Sequence, residues 1–310
     1  VEVAVLMWRT YALFPSAGGP RSATPASVRH LFRFSLGVAF VTSLSAVVTQ
    51  SDRLILSGIL TLRDFAYFSL ATLVASSISL VSGPLGAALM PRLSTLAAAN
   101  DRQAMLGLYR TGLQVMCVAV VPLAITVAVH ADDLLWAWTG NRDVAEHAGR
   151  TLSLYALGNS LAAIAALTYC LQFALGNLRW HMVGTAFLVI VLVPGQIYLA
   201  LHFGATGAGA FWLAVNCAFF LLWIPFIHRR FAPELTGARY FRDLAPACIA
   251  GALAVFAVTV VLEAMPHSRL GAALQIGGVA FVATLCAALA TPGTRSMLSR
   301  LELGKRPLVG

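Results

Sequence analysis

The sequence predicts an all-α fold, a polytopic bundle of about eight transmembrane helices. Hydrophobic residues make up 59% of the chain and charged residues 11%, whereas about a quarter of the residues in soluble domains are charged. The charges are separated by uncharged runs long enough to cross a bilayer, which takes roughly 20 residues. The basic residues are also distributed unevenly between alternate loops.

Seven uncharged runs define the spans. They are residues 34–51, 65–91, 111–131, 151–178, 180–228, 244–262 and 270–294. Six have room for one helix each, and the run 180–228 is long enough for two, with a break predicted at the glycine-rich stretch 202–207. The predicted spans are 32–51, 65–91, 106–130, 150–175, 181–202, 207–228, 245–263 and 270–290.

The basic residues predict the orientation. If the N-terminus is cytoplasmic, most of the 21 Lys and Arg residues fall on the cytoplasmic side. The exceptions are Arg53, Arg63, Arg142, Arg150 and Arg269. This bias follows the positive-inside rule, and eight spans place both ends inside. Because the positive charge is spread over many loops, it does not indicate a nucleic-acid partner.

Composition divides the chain into three parts. The chain starts without Met and residues 3–14 look like the end of a helix, so we expect that an N-terminal part of the protein is missing. Residues 1–30 are predicted to be that helix end and a cytoplasmic loop, and residues 31–230 a six-helix lobe. Residues 231–310 are predicted to be a basic cytoplasmic loop, two accessory transmembrane helices poor in polar residues, and a tail.

Small and polar residues form one stripe on each of the first two spans. The stripes are Thr42, Ser45, Thr49 and Asp52 on span one, and Ser69, Thr72, Ser76, Ser79 and Gly83 on span two. Small residues let helices approach closely in a membrane, so the stripes predict close helix packing. Gly83-Pro84 predicts a kink in span two, and Pro91-Arg92 predicts its exit.

Several polar side chains lie within the spans. They are Gln50, Gln114, Asn159, Tyr169, Gln172, Gln196, Asn216 and Gln275. Each is costly at membrane depth unless it meets a partner or water. Singly, such residues form hydrogen bonds between helices. As a set, those of spans one, three, four and six favour a water-filled central path.

Asp52-Arg53 is the most informative charged pair, and it has two interpretations. It is either a salt bridge that anchors the end of span one at the interface, or a functional pair. In the second case Arg53 contacts an anionic headgroup, and Asp52 pairs with it or takes part in ion coupling. Adjacent helical residues diverge by about 100°, so the two side chains need not share one environment.

Motifs for catalysis and metal binding are weak. Asp132-Asp133 is an external acidic pair, which membrane glycosyltransferases use, but an aspartate before Leu134 also suits a helix start. The five cysteines lie in different spans without a CxxC pair. Only His147 and His267 have an acidic residue four positions away (Asp143 and Glu263), and two ligand types are too few for a site, so no metal is expected. No phosphate-binding loop or GxSxG nucleophile motif is present. We therefore expect no cofactor.

Several segments together resemble a known family. They are residues 50–57, 65–71, 90–94 with 109–110, 134–140, 172–181 and 204–208. In this order and spacing they resemble polysaccharide (Wzx-type) flippases of the multidrug/oligosaccharidyl-lipid/polysaccharide exporter superfamily. The motifs cover residues 30–230, and residues 231–310 resemble the family by hydropathy alone.

The resemblance implies a MATE-like fold of two six-helix lobes around a cavity, often with two extra C-terminal helices. This chain would be the second lobe with the extra pair. It implies a transporter of the bacterial inner membrane, not an enzyme, that works by alternating access. The cargo would be an oligosaccharide on a polyprenyl pyrophosphate, whose polar groups cannot cross hydrocarbon unaided. Membrane lipids and the polymerase and glycosyltransferases of the pathway would be its partners.

The resemblance also assigns roles to residues of the spans. Arg53 would contact phosphate, and Asp52 would take part in ion coupling. The candidate sugar contacts are Gln50, Gln114, Asn159, Tyr169 and Gln172.

Three alternatives stay open. A drug or small-molecule ion antiporter would show a small apolar cavity with one buried carboxylate, and the absence of a mid-span acidic residue weighs against it. A membrane glycosyltransferase would need Asp132 or Asp133 in a deep external pocket. A non-transporting scaffold would be a dry, fully packed bundle.

Overall fold

The computed structural model describes residues 5, 7–9, 25–235, 237–262 and 268–295, and within them the chain consists of helices and short turns without a strand. This confirms the all-α class. The helices are α1 (Pro25–Ile59), α2 (Leu62–Leu80), α3 (Ser82–Ala98), α4 (Arg102–Val129), α5 (Ala131–Thr139), α6 (Arg142–Ala174), α7 (Arg179–Ala218), α8 (Ile224–Phe231), α9 (Ala238–Leu262) and α10 (Arg269–Ala290). A π-helical turn, Phe219–Trp223, joins α7 to α8, and a 3₁₀ turn, Pro233–Leu235, precedes α9. Of the helix end predicted at residues 3–14, residues 5 and 7–9 are described and are helical. The predicted tail beyond residue 295 lies outside the described residues.

Six helical segments in the described part of the chain are long and apolar enough to cross a membrane. They are Leu62–Ala98, Arg102–Val129, Arg142–Ala174, Arg179–Phe231, Arg239–Val261 and Arg269–Ala290. The 53 residues of Arg179–Phe231 would be about 80 Å long if straight, against a hydrocarbon core of about 30 Å, so this segment supplies two crossings. With α1, which carries the uncharged run 34–51, the helices match the eight predicted spans. The protein is a multi-pass membrane protein.

Gly204 divides the long segment, as the glycine-rich stretch predicts. Its φ of 62° and ψ of −150° lie in a region that is essentially restricted to glycine. A Cβ atom on Gly207 would collide with the main chain of Leu199. The chain therefore folds back within one turn, and glycine at both positions permits it.

The two halves of this hairpin pack through glycines. The Phe211 ring lies against Gly195, and farther from the break the Trp223 ring lies against Gly184. Each contact joins two residues at similar sequence distances before and after Gly204, which is the pattern of antiparallel helices. Small residues thus allow close approach here, as they do in other membrane helix pairs.

The central helix of the bundle is α6, which packs against α2, α3, α4, α5 and α7. Buried residues recur along its whole length. Two of its glycines accept large neighbours: the Trp212 indole lies over Gly158, and the Asp132 carboxylate lies over Gly149. The helix can therefore be surrounded on most sides and still be in close contact with α5 and α7.

The accessory pair, α9 and α10, packs together and against α4, and α10 also contacts α5. Gly251 of α9 lies against Pro122 of α4. His130 Nε2 is 2.9 Å from Thr259 Oγ1. The accessory pair thus lies beside the bundle, while the predicted domain boundary at residue 230 stays a prediction.

The first helix differs from its prediction. α1 packs along α7 and has few contacts with α2, so the two polar stripes are not at a close helix contact. The helix also continues two turns beyond the predicted end at residue 51, and in these turns Leu56 is fully buried in the hydrophobic core. Asp52 and Arg53 therefore lie inside a helix and not at its end.

The second predicted span is bent near the expected position. Val81 ends α2 and begins α3, immediately before Gly83-Pro84. The helix does not end at Pro91, because α3 continues to Ala98 with Pro91 inside it, and the exit of the span from the membrane at Pro91-Arg92 stays a prediction. Leu89 and Leu93 are buried on either side of this proline, and their packing maintains the helix.

Ion pairs between elements agree with the predicted orientation. They are Arg63–Asp143 at 2.7 Å, Arg102–Glu234 at 3.0 Å and Arg110–Asp243. Both members of the first pair are predicted to be outside, and both members of the other two are predicted to be cytoplasmic. Among the described residues, no ion pair joins opposite sides.

Candidate functional site: a polar cavity between four helices

A cavity of about 580 Å³ lies between α1, α2, α6 and α7. Its polar and aromatic lining residues are Thr42, Ser45, Thr49, Asp52, Arg53, Thr72, Ser76, Ser79, Tyr155, Asn159, Tyr169, His181, Thr185, Trp212, Asn216 and Phe219. Such a lining inside an apolar helix bundle suits water or a polar ligand. The dry, fully packed bundle expected of a scaffold is not observed in the described part of the chain.

The polar stripes of α1 and α2 face this cavity with hydroxyl groups. Thr42, Thr49, Thr72 and Ser76 each donate a hydrogen bond, of 2.7–3.0 Å, to a carbonyl one turn earlier in the same helix. Because their hydrogens are used in this way, the hydroxyl oxygens are available as acceptors. The two walls can therefore accept hydrogen bonds from a ligand rich in hydroxyl groups.

Asn159 is the polar centre of the α6 wall. Its Nδ2 donates to the carbonyl of Ala75 at 2.9 Å, and its Oδ1 accepts from the indole N–H of Trp212 at 3.0 Å. One side chain thus connects α2, α6 and α7. This arrangement fixes the orientation of the Trp212 ring at the cavity surface.

Asp52 and Arg53 supply the charges of the cavity wall. The Asp52 carboxylate accepts the main-chain N–H of Arg53 at 2.8 Å. The two side chains form no ion pair within 4.0 Å, and no other described residue pairs with the Arg53 guanidinium. The anchoring salt bridge is therefore not formed, and Arg53 is available to an anion.

Tyr155 brings a buried hydroxyl to the same region. The hydroxyl lies close to the Asp52 carboxylate, which can accept its hydrogen, and only 3% of the residue is exposed. A ligand in the cavity would therefore meet a hydroxyl and a carboxylate side by side.

Aromatic rings form the rest of the surface. Trp212 stacks on Tyr155 with ring centres 6.2 Å apart. Farther along α6, the ring of Tyr169 lies 5.0 Å from that of His181. These rings offer flat apolar faces between hydrogen-bonding groups, an arrangement that can bind both faces and edges of a sugar.

The structure brings together four of the seven predicted site residues: Asp52, Arg53, Asn159 and Tyr169 line the cavity. The other three lie elsewhere. Gln50 is exposed on α1 and is not in the lining. Gln114 accepts the main-chain N–H of Gly293 at 3.1 Å, and Gln172 is fully buried and donates to its own helix at 3.3 Å.

Sequence reasoning missed Tyr155, His181 and Trp212. A signal existed for Tyr155, which lies one turn before Asn159 and on the same helical face. His181 and Trp212 had no such signal, because each becomes part of the site only when the α7 hairpin folds against α6.

The outer acidic pair lies away from this cavity. Asp132 and Asp133 lie in the first turn of α5, and the Asp132 carboxylate packs over Gly149. Partial removal from water, with Asp133 and Glu146 nearby, raises the pKa of Asp132. Neither aspartate lines the cavity between α1, α2, α6 and α7.

Metal chemistry has no candidate in the part of the chain that the structure describes. No three His, Cys, Asp or Glu side chains there lie close enough to hold an ion. Its five cysteines are free thiols.

Comparison with known proteins supports the exporter resemblance. Residues 4–142 match the model of a family described as polysaccharide biosynthesis proteins. No curated protein sequence matches the chain.

A solved structure shares the fold. It is that of the lipid II flippase MurJ in an inward closed conformation, with a TM-score of 0.64 and 13% sequence identity. The match covers 86% of this chain and 53% of that one, so the chain spans about half the length of that protein.

Proposed function

We propose that the chain is part of a transporter that moves a lipid-linked oligosaccharide across the bacterial inner membrane. The match to a polysaccharide biosynthesis family and the fold shared with a lipid II flippase support the proposal. The observation that carries the proposal is the cavity of about 580 Å³ among membrane-spanning helices, whose mainly apolar wall holds hydroxyl groups, Asn159 and the unpaired Arg53. A glycan crossing hydrocarbon would lose its hydrogen bonds to water. Such a cavity replaces them. The proposal is for a transporter and not an enzyme.

Roles follow from the chemistry of the lining. The Arg53 guanidinium contacts the pyrophosphate, because arginine binds phosphate oxygens through paired donors. Asn159, Tyr155, Tyr169 and the stripe hydroxyls contact sugar hydroxyls. We assign no contact with the sugar to Gln50, Gln114 and Gln172, since they do not line the cavity.

Alternating access is the proposed mechanism. In the implied two-lobe arrangement, the cavity would face a second six-helix lobe, and rocking of the lobes would expose it to each side in turn. Glycosyltransferases that build the glycan and a polymerase that consumes it would be the partners that supply and remove the cargo.

One observation favours a second candidate function. Asp52 is a half-buried carboxylate in the cavity wall, which is the feature expected of an ion-coupled small-molecule antiporter. The same residue would couple flipping to an ion gradient. The variant Asp52→Asn distinguishes the antiporter from the ion-coupled flippase. Loss of drug export with normal glycan export would favour the antiporter.

The test removes the gene for this protein and follows lipid-linked oligosaccharide across the inner membrane. Restoring the unaltered gene or Arg150→Ala, an exposed outer arginine outside the cavity, should restore export, whereas Arg53→Ala should not. Accumulation on the cytoplasmic leaflet in the deletion strain supports flipping. Normal export without the gene contradicts it.

A further inference from the structure

A second cavity lies at the end of the bundle predicted to be cytoplasmic. Its volume is about 490 Å³, and it lies between the start of α4, the 3₁₀ turn and the start of α9. Its charged lining residues are Arg110, Glu234, Arg239, Arg242 and Asp243. It is separate from the cavity between α1, α2, α6 and α7, which we call the transport cavity, and the two share no lining residue.

The lengths of the helices place this pocket at the level of the lipid headgroups. α4 has 28 residues and is about 42 Å long, whereas the hydrocarbon core is about 30 Å thick, so its first turns extend beyond the core. Arg239 and Arg242 likewise precede the uncharged run of α9, which begins at residue 244. The arginines are therefore where phosphates of the bilayer lie.

Both acidic side chains of the pocket are already paired. Arg102 binds the two carboxylate oxygens of Glu234 at 3.0 and 3.1 Å. Arg110 binds Asp243. These two pairs hold the start of α4 against the 3₁₀ turn and α9, and they leave no acidic lining group to neutralise the remaining arginines.

Arg239 and Arg242 are the remaining positive charges. Among the described residues, Arg239 donates to the main-chain carbonyl of Glu234, at 3.5 Å, and forms no ion pair. Arg242 forms no ion pair with a described residue. The two lie three residues apart on α9, and neighbours at that spacing share a helical face. A cavity between them and α4 thus has an excess of two guanidinium groups.

We propose that this pocket binds a phosphate group, either the phosphodiester of an anionic phospholipid or free phosphate. Guanidinium groups match phosphate oxygens in geometry and charge. Basic pockets between transmembrane helices on the cytoplasmic side bind such headgroups. The bound phosphate would connect α4 to the accessory pair α9–α10. The inference does not depend on the transport cavity or on its cargo.

The test uses the purified full chain in detergent and titrates phosphatidylglycerol, phosphatidylcholine and inorganic phosphate, with bound lipid counted by native mass spectrometry. Arg239→Gln/Arg242→Gln should weaken phosphatidylglycerol binding by roughly 10- to 30-fold. The control Arg92→Gln/Arg179→Gln removes the same charge from exposed arginines on the same predicted face, outside the pocket. It should bind like the unaltered chain, and so should Arg239→Lys/Arg242→Lys within a few-fold.

The outcomes distinguish the two sources of phosphate. A preference for phosphatidylglycerol that the Gln variant loses supports a lipid headgroup. Binding of inorganic phosphate, lost in the same variant and without lipid preference, supports free phosphate. If the Gln variant and the unaltered chain bind both probes equally, the proposal is overturned. If the double variant does not fold, the single variant Arg242→Gln is used instead. Arg242 forms no ion pair with a described residue, so its replacement removes none from the folded chain.

Discussion

The amide oxygen of Asn159 accepts a hydrogen bond from the indole N–H of Trp212 at 3.0 Å, across the interface between α6 and α7. The amide nitrogen of the same side chain donates to the carbonyl of Ala75 in α2. One polar residue therefore holds three walls of the cavity in position. It does so within a helix long and apolar enough to cross the membrane, where an unpaired polar side chain is costly.

Replacing Asn159 with leucine should destabilise the bundle by roughly 1–2 kcal/mol, because two interhelical bonds are lost. The comparison is Asn216→Leu, since the hydrogen bond that Asn216 donates among the described residues is to the Trp212 carbonyl in its own helix. Thermal unfolding in detergent measures both. Equal stability of the two variants would show that Asn159 does not connect the walls.

Gly204→Ala should destabilise the α7 hairpin by on the order of 1–3 kcal/mol, because alanine is strained at a φ of 62° and a ψ of −150°. Gly277 lies within α10 with no neighbouring atom near its absent Cβ, so Gly277→Ala should be neutral or slightly stabilising. The thermal midpoints of the two variants should therefore move in different directions. A Gly204→Ala variant as stable as the unaltered chain would contradict the hairpin.

The predicted orientation can be tested by cysteine labelling. Leu62 is exposed at the start of α2, directly after the turn that follows α1, and Asn177 is exposed in the turn between α6 and α7. Leu62→Cys should react with an impermeant maleimide in intact spheroplasts, and Asn177→Cys only after permeabilisation. The unaltered chain gives the background of the native cysteines. The reverse labelling pattern would contradict the predicted orientation and indicate the opposite one.

Asp132 and Glu234 should give stability effects of opposite sign. Burial raises the pKa of Asp132, so its charged form is disfavoured in the fold. The resulting loss in the free energy of unfolding is fully present at a pH above the raised pKa. It disappears below about pH 3.8, the ordinary pKa of aspartate. Asp132→Asn should therefore be more stable than the unaltered chain at neutral pH, with the difference vanishing in acid.

Glu234 is the matched opposite case. The Arg102 guanidinium lowers the pKa of Glu234, so its charged form is favoured in the fold. That contribution is present above about 4.5 and is lost as the pH falls through the lowered pKa. Glu234→Gln should be slightly less stable at neutral pH only. Thermal midpoints across pH for both variants check the signs, and equal signs would contradict the assigned environments.

The spans and their order could be predicted because charge spacing and glycine position are local properties. The run 180–228 had to contain a break, and Gly204 provides it. The polar face of α1 was also readable from helical periodicity. Its partner was not, since the packing of α1 on α7 instead of α2 depends on the tertiary arrangement.

The site was predicted in part for a related reason. A polar residue within a span must find a partner or water, but the sequence does not say which. Asn159 and Tyr169 face the cavity, whereas Gln114 binds the main chain after α10 and Gln172 binds its own helix. The side-chain amides of Asn159, Gln114 and Gln172 thus have different roles, and only the arrangement of the neighbouring helices distinguishes them.

The most direct measurement for the central claim is occupancy of the cavity by its proposed cargo. Thr49 and Thr72 line it from α1 and α2, and the exposed Asn177 does not. Polyprenyl-pyrophosphate-linked oligosaccharide should slow maleimide labelling of Thr49→Cys and Thr72→Cys and leave Asn177→Cys unaffected. The same variants carrying Arg53→Ala should lose the protection. If the cargo leaves labelling at both cavity positions unchanged, the cavity is not its binding site.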